Sequence, residues 1–274
     1  MTNIKSFKII NKPPLEIFAE DLELAVKSGV KQEYSMPYFK QGGNKGVMLI
    51  HGICSSPWEM LPVAEALIKD NFTVYVPRVA GHGISMDSLI NTTWQDWYNS
   101  LLLPFSALSA HCSNITIIGQ SNGGLLACAV AMNNTISALG LLAPAFKTRF
   151  KGFSLVKYLR FAVKYLPRRL KGDYKLYNYA GFPLNALNEM RLMQGYVLKH
   201  IENISVPTML GISQNDRLVS ESEAIAALSS MACGDKTLHL YNNKEMNIHH
   251  ILTVPRMEHI RCDIIKWVKR VTNG

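Results

Sequence analysis

The chain has 274 residues, of which 48% are hydrophobic and 18% are charged, a composition typical of a folded globular protein rather than a disordered one. Its formal net charge is +9, but residues 147–175 contain ten basic side chains and one acidic side chain, so the remainder of the sequence sums to zero. A charge confined to one segment argues against a general nucleic-acid-binding protein, and we predict no nucleic-acid partner.

Hydropathy and cysteine usage indicate the cellular compartment of the protein. No apolar run approaches the roughly 18 residues that indicate a membrane span, and the first 14 residues do not have the pattern of a secretory signal. The five cysteines are odd in number, widely spaced and without a CxxC pair. A disulfide framework or a zinc site is therefore not expected, and we predict a cytoplasmic protein.

From about residue 46, short β-rich runs alternate with longer amphipathic runs, which predicts a mostly parallel sheet covered by helices. The predicted strands are 47–51, 72–76, 114–119, 136–144, 207–213 and 237–241. The predicted helices are 57–70, 92–111, 122–132, 221–231 and 256–271. Thr93 and Asp96 have the spacing of a capping box at the start of the second helix.

The alternation stops between residues 145 and 205, a long, basic and aromatic stretch with a mainly helical pattern. An insertion at the carboxyl edge of an open sheet would cover the place where ligands bind. We therefore predict an α/β core formed by residues 1–144 and 206–274, with 145–205 as a cap.

The segment GQSNG, residues 119–123, lies between a predicted strand and a predicted helix. The pattern G-x-S-x-G in this setting is typical of a nucleophile elbow, because the sharp turn leaves no room for side chains at the flanking positions. Ser121 is therefore the candidate nucleophile. A serine hydroxyl also needs a base, and the base needs an acid to orient it.

In α/β proteins that carry a nucleophile elbow, the acid follows the serine in the chain, and the histidine comes last. Asp216 directly follows the strand 207–213, where a carboxylate would reach the site. The alternative interpretation of Asp216 is a structural role, as a turn residue or a helix cap. Asp235 precedes the next strand, at the wrong edge of the sheet, and is the weaker candidate.

Two adjacent histidines, His249 and His250, lie after the last predicted strand. Only one of them can point at Ser121. We favour His250, because the apolar residues 251–254 that follow it can anchor its backbone. His239 falls within a predicted strand and His259 within a predicted helix, so both are expected to be packing or surface residues.

Acyl transfer also requires donors for an oxyanion. The expected donors are the backbone N–H of Asn122, which follows the nucleophile, and that of Ile53 in the loop HGICSS. His51 in the same loop is expected to be a buried structural histidine. Cys54 is a less favoured second nucleophile, since the sequence suggests no histidine to pair with it.

Four segments stand in the order HGICSSPWEMLPVAEALIKDNFTVYVPRVAGHG, TTWQDWYNSL, GQSNGG and FPLNALNEM. Their order and spacing resemble those of the bacterial carboxylesterases related to monoacylglycerol lipases, over about residues 45–271. The resemblance implies an eight-stranded α/β-hydrolase sheet, a small helical cap and hydrolysis of short-to-medium acyl esters without a cofactor. The positions that match are Ile53, Ser121, Asn122, Asp216 and His250, although that family commonly has Met where this chain has Asn122.

Within residues 153–170, basic side chains recur at spacings of three and four, namely Lys157, Arg160, Lys164 and Arg168. This is the pattern of a basic amphipathic helix, which can lie on an anionic membrane surface. A solvated cap helix is the plainer interpretation, and steering of an anionic substrate is a third.

Together these features predict a serine hydrolase that cleaves carboxylic esters, with monoacylglycerols or lysophospholipids as candidate substrates and neither metal nor cofactor. Thioester hydrolysis, acyl transfer, C–C bond hydrolysis and peptide hydrolysis are alternatives on the same scaffold. A non-catalytic ligand-binding protein is a further alternative, which the intact set of serine, acid and histidine argues against. Acyl length, head group and oligomeric state depend on pocket and surface shape, so the sequence makes no prediction of them.

Overall fold

A computed structural model of the chain describes residues 4–170, 174–214, 216–242, 249 and 258–273. The strands are β1 (Tyr38–Lys40), β2 (Lys45–Ile50), β3 (Thr73–Val76), β4 (Asn114–Gln120), β5 (Ala138–Leu142), β6 (Tyr165–Pro167), β7 (Gly181–Pro183), β8 (Thr208–Ser213) and β9 (Lys236–Tyr241). Seven of them form the central sheet in the order β1-β3-β2-β4-β5-β8-β9. Strand β1 is antiparallel to β3, and the other neighbouring pairs are parallel.

The helices cover this sheet. They are α1 (Pro14–Lys27), α2 (Leu61–Lys69), α3 (Met86–Ile90), α4 (Trp94–Asn99), α5 (Leu102–Ser109), α6 (Asn122–Asn133), α7 (Val156–Leu159), α8 (Tyr174–Tyr177), α9 (Leu184–His200), α10 (Glu221–Ser230) and α11 (Glu258–Asn273). Across the described ranges, none of them has both the length and the apolar character that crossing a bilayer requires.

The α/β fold predicted from the sequence is confirmed, with differences in detail. The described sheet has seven strands where the resemblance implied eight, and β1 was not predicted. The predicted helix 92–111 is divided into α4 and α5, and Pro104 lies in the first turn of α5, where its missing N–H costs no helical hydrogen bond. The capping box of Thr93 and Asp96 is present at the start of α4.

Two apolar layers sandwich the sheet. On one face, α2 and α11 pack against β2 and β3, and Ile264 and Trp267 of α11 are buried there as their spacing predicts. On the other face, α6 packs against β4 and β5 through Leu125 and Leu126, which are fully buried. Because β2, β4, β8 and β9 run parallel, the loops that follow them meet at one edge, and this edge holds the candidate site.

The insertion between β5 and β8 is less helical than its sequence pattern suggested. It contains the short helices α7 and α8, the antiparallel pair β6 and β7, and the long helix α9. Helix α9 packs on α6 of the core as well as on α7.

The prediction of one basic amphipathic helix over residues 153–170 is wrong. Only Val156–Leu159 form an α-helix there, and Tyr165–Pro167 form a strand. Aromatic and β-branched residues favour the extended conformation, and Pro167 cannot occupy a helix interior. The four basic side chains consequently do not form one stripe: Lys164 pairs with Asp87 at 2.7 Å, and Arg168 lines the cavity described below.

Candidate active site

Ser121 lies at the sharp turn from β4 to α6, with backbone angles of φ 54° and ψ −115°. This left-handed φ is strained for a residue with a side chain. The turn brings backbones so close that a Cβ atom on Gly119 would lie 2.1 Å from the carbonyl oxygen of Gly123. A Cβ atom on Gly123 would lie 2.3 Å from the carbonyl oxygen of Ile50. Both glycines are therefore required by the turn, as the elbow pattern predicts.

Backbone hydrogen bonds hold the strained serine in place. The N–H of Ser121 donates to the carbonyl oxygen of Leu142 at 2.8 Å, and the N–H of Ala145 donates to the carbonyl oxygen of Ser121 at 3.1 Å. The neighbouring strand β5 and the chain that follows it thus fix the turn from both sides. The hydroxyl of Ser121 lines a cavity at the carboxyl edge of the sheet.

The histidine beside Ser121 is His249. Its Nε2 lies 2.7 Å from Ser121 Oγ, and its Nδ1 lies 2.8 Å from Asp216 Oδ2. The choice of His250 made from the sequence is therefore corrected by one position, and His250 itself lies outside the described residues. The other predicted residues, Ile53, Asn122 and Asp216, lie around the same point.

A contact invisible in the sequence pattern explains which histidine faces Ser121. The side chain of Gln120, which is fully buried, donates from Nε2 to the backbone carbonyl oxygen of His249 at 2.7 Å. Gln120 is the variable residue before the serine in the elbow pattern, and this hydrogen bond fixes the backbone of His249 next to Ser121. The apolar residues 251–254, on which the choice of His250 was based, do not determine which of the two histidines faces Ser121.

Asp216 is buried and its carboxylate is fully engaged. Oδ1 accepts hydrogen bonds from the N–H groups of Leu218 at 2.8 Å and Val219 at 3.0 Å, while Oδ2 faces His249. Burial raises the pKa of this carboxyl, but the hydrogen bond and charge of His249 and the two backbone donors outweigh it and hold the pKa below its ordinary value. Asp216 is therefore a carboxylate at neutral pH, and it fixes the Nδ1–H tautomer of His249.

Two backbone N–H groups are placed to receive developing negative charge. Asn122 is the first residue of α6, so its N–H has no partner within the helix. Neither this N–H nor that of Ile53 donates to an acceptor among the described residues. The loop that carries Ile53 is held by the buried Glu59, whose Oε2 accepts the N–H of Gly52 at 2.8 Å.

His51 is a structural histidine, as the sequence suggested. It is buried, its Nδ1 lies 2.9 Å from the carbonyl oxygen of Gly52, and its Nε2 accepts the N–H of Val79 at 3.2 Å. Burial lowers its pKa to about 4, so the ring is neutral near pH 7. His51 thus shapes the loop, and its ring forms its hydrogen bonds with Gly52 and Val79 rather than with Ser121.

The remaining candidates do not join the site. Burial raises the pKa of the Cys54 thiol to about 12, which keeps it protonated and unreactive. Asp235 pairs with Arg270 at 2.7 Å. His239 lies beside Asp263, with 3.8 Å between Nδ1 and Oδ2, and is a packing residue as expected. In the described part of the chain, no group of three or more potential ligands could hold a metal ion.

The cavity that opens on Ser121 has a volume of about 250 Å³ and is largely apolar. Its aromatic and aliphatic lining comes mainly from the insertion, with Phe150, Phe153, Phe182, Leu187 and Met190 among the contributors. Arg168 is the one permanently charged side chain among the described lining residues. Sequence reasoning missed this role of Arg168 because it assigned the residue to an exposed helical stripe.

Comparisons with known proteins identify a family model and relatives that are similar to this chain. Residues 43–176, which include the elbow and the loop at Ile53, match the model of the family described as serine aminopeptidase, S33. The chain is 25% identical over 229 residues to a thermostable monoacylglycerol lipase of Bacillus sp. (strain H-257), covering 80% of this chain and 87% of that protein. It is 20% identical over 246 residues to a carboxylesterase of Bacillus subtilis (strain 168), covering 86% and 96%.

A solved structure has the same fold. It comes from a study of LipS and LipT, two metagenome-derived lipolytic enzymes, and superposes with a TM-score of 0.78 at 18% identity. The match covers 87% of this chain and 99% of that chain. At this identity the likeness concerns the fold alone.

The two histidines can be separated by the reactivity of Ser121. We expect His249→Ala to slow covalent labelling of Ser121 by a fluorophosphonate by a factor on the order of 10⁴, because the hydroxyl loses the base that removes its proton. The matched variant His250→Ala should label at close to the rate of the unmodified protein. Rates are measured by gel fluorescence on folded protein. Slow labelling of His250→Ala with normal labelling of His249→Ala would restore the register expected from the sequence.

Proposed function

Because the chain is a member of the α/β-hydrolase superfamily, related to the bacterial carboxylesterases and monoacylglycerol lipases, we propose that it hydrolyses carboxylic esters. The observation that supports this most is the hydrogen-bonded series Ser121, His249 and Asp216 at the end of an apolar cavity. We propose short-to-medium acyl chains, with monoacylglycerols and lysophospholipids as candidate natural substrates.

In this proposal Ser121 Oγ attacks the ester carbonyl carbon while its proton passes to His249 Nε2, at 2.7 Å. The carbonyl oxygen becomes an oxyanion, which the N–H groups of Ile53 and Asn122 stabilise. As the intermediate collapses, the alcohol leaves with the proton from His249, and an acyl-enzyme remains on Ser121. Water then repeats the sequence with the same base, releasing the carboxylic acid and regenerating the serine.

Asp216 acts through His249. Its carboxylate accepts the Nδ1–H and so keeps Nε2 free to take the proton of Ser121. The positive charge that forms on His249 during the reaction lies next to this carboxylate, which stabilises it.

The cavity supports the choice of acyl length. Its volume of about 250 Å³ lies just below the range of roughly 300–1,000 Å³ typical of sites for drug-sized molecules. One short-to-medium acyl chain fits such a volume better than a long or branched lipid. Since residues 150–190 supply much of the lining, we propose that residues 145–205 act as the cap that closes the site.

The serine aminopeptidase family raises peptide hydrolysis as a second candidate. A peptide with a free α-ammonium group would be bound best by a carboxylate in the pocket. Among the described lining residues there is no acid, and Arg168 would repel an ammonium group. We therefore favour ester cleavage, with thioester hydrolysis and acyl transfer as reactions of the same nucleophile. The cytoplasmic location predicted from the cysteines stays a prediction.

Contact with an anionic membrane also remains a proposal, with a different physical basis. Instead of a basic helix, the insertion presents exposed aromatic side chains, with Phe161 80% exposed and Tyr158 64% exposed. A cation lies over each ring, Arg160 at 4.6 Å from Phe161 and Lys157 at 4.7 Å from Tyr158. Aromatic rings flanked by cations can enter the boundary between head groups and acyl chains of an anionic bilayer.

Esterase activity is tested with p-nitrophenyl esters of increasing acyl length. We expect turnover of short and medium chains and a decline for long chains, since the cavity is small. Ser121→Ala should lower kcat by a factor on the order of 10⁴ or more, because the nucleophile is lost. The control Ser113→Ala changes an exposed serine and should be as active as the unmodified protein. Retention of a tenth of the activity in Ser121→Ala would contradict the proposal.

Membrane contact is tested by sedimentation with anionic and with neutral vesicles at two salt concentrations. We expect binding to anionic vesicles that weakens as salt rises, because exposed charges are screened over about 8 Å at physiological ionic strength. Phe161→Ala should weaken this binding about tenfold, since removing one large apolar side chain from the boundary costs about 1.5 kcal/mol or more. Leu24→Ala, at an exposed apolar position of α1, is the control and should have no effect. Equal binding to both vesicle types, or binding to neither, would overturn the proposal.

A further inference from the structure

The guanidinium of Arg168 is held rigidly at the wall of the cavity. Nε donates to the carbonyl oxygen of Tyr179 at 2.8 Å, and Nη2 donates to Asn178 Oδ1 at 2.7 Å and to the carbonyl oxygen of Cys54 at 3.5 Å. Its central carbon lies 4.6 Å from the ring centroid of Phe182. Arg168 therefore has one fixed orientation before any ligand enters.

These contacts leave part of the guanidinium unused. Of its five N–H groups, those on Nη1 donate to no acceptor among the described residues. Arg168 lines the same cavity as Ser121 and Ile53, and the two Nη1 donors are the part of its guanidinium that the described residues leave unused. Cys54, which accepts from Nη2, directly follows Ile53 in the chain, so the cation lies close to the reacting end of the cavity.

The positive charge of Arg168 also forms no ion pair with the part of the chain that the structure describes. Among the described residues, no carboxylate lies within ion-pair distance of the guanidinium. Burial lowers the pKa of Arg168, and the nearby Glu59 opposes that shift only in part. Placing a partly buried cation in an apolar wall costs free energy unless an anion pairs with it.

We propose that Arg168 binds an anionic group of the substrate, so that the preferred esters carry a carboxylate or a phosphate close to the bond that is cleaved. This inference rests on the proposed ester hydrolysis and specifies its substrate class. The planar guanidinium matches the geometry of both anions, and its charge-assisted hydrogen bonds are stronger than neutral ones. The apolar lining holds the acyl chain while Arg168 selects the charged end.

Two other effects of Arg168 must be distinguished from recognition. Its contact with the carbonyl oxygen of Cys54 positions the loop of Ile53, and loss of that contact would slow every ester equally. The net charge of +9 attracts any anion at a distance, an effect that neighbouring cations share and that salt suppresses. Recognition by Arg168 affects only anionic esters, depends on this one cation and persists in salt.

The experiment compares kcat/KM for matched esters at high salt. One pair is the p-nitrophenyl monoester of adipate against p-nitrophenyl 6-methylheptanoate, which replaces the carboxylate by an isopropyl group of similar shape. The other pair is hexanoylglycerol phosphate against hexanoylglycerol, with release of hexanoate as the readout. The first pair places the anion on the acyl part, and the second places it on the alcohol.

We expect the unmodified protein to prefer the anionic member of at least one pair, and that pair identifies where the anion sits. Arg168→Gln should lower this preference, the ratio of kcat/KM for the anionic ester to kcat/KM for the neutral ester, by about 10- to 100-fold, as expected for loss of a hydrogen bond to a charged group. Any loss that comes from the contact with Cys54 affects both esters and leaves this ratio unchanged. Arg168→Lys should keep part of the preference. The control Arg169→Gln removes the neighbouring exposed cation and should leave the preference intact.

Three results would overturn the proposal: no anionic preference in the unmodified protein, an equal loss for both members of a pair in Arg168→Gln, or the same change in Arg169→Gln. The first of these requires no variant, so it can overturn the proposal even if Arg168→Gln does not fold, and Arg168→Lys then tests the role of Arg168. Turnover of the neutral esters without discrimination would reject this proposal alone. Absence of turnover for every ester would instead reject the proposed function.

Discussion

The positive φ of Ser121 is the constraint on which the rest of the site depends. A serine held at φ 54° is stable only where the surrounding chain fixes it, because the free-energy cost of that conformation is of the order of 1–3 kcal/mol. At this turn the backbone of α6 approaches β4 at Gly119 and the end of β2 at Gly123 so closely that neither glycine tolerates a side chain. The turn places the hydroxyl of Ser121 at the carboxyl edge of the sheet, where the loops that carry Ile53, Asp216 and His249 can reach it.

Buried polar side chains set the positions of those loops. Glu59 holds the loop of Ile53 through the N–H of Gly52, and Gln120 holds the backbone of His249. Buried hydrogen bonds are costly to leave unmade, so each of these contacts resists displacement of its loop. Among the described residues, the other side-chain polar atom of Gln120, Oε1, has no hydrogen-bond partner.

Much of the core and part of the site could be predicted from the sequence. Strands such as Asn114–Gln120 and the buried face of α11 follow from hydrophobic periodicity. Ser121 and Asp216 follow from their places directly after strands. The choice between His249 and His250 could not be made, because it depends on one hydrogen bond from Gln120, a residue 129 positions away in the chain.

The insertion was predicted least well, and for a related reason. Its spacing of basic residues fits a helix, but β6 forms through pairing with β7, a contact between distant segments. That pairing moves Arg168 from the expected exposed stripe to the wall of the cavity. The sequence therefore shows that this segment is rich in basic and aromatic residues, but it does not show how their side chains are arranged around the pocket.

The site combines a nucleophile under backbone strain, a base positioned by buried groups and a small apolar cavity with one fixed cation. The central claim is that an acyl group is transferred to Ser121 during turnover. Acid-quenching the protein during its reaction with p-nitrophenyl butyrate, followed by peptide mass mapping, tests this directly. The account predicts one butyryl group on the peptide that contains Ser121, and none on that peptide in Ser121→Ala. A butyryl group on another side chain, or turnover with no acylated peptide at any quench time, would contradict it.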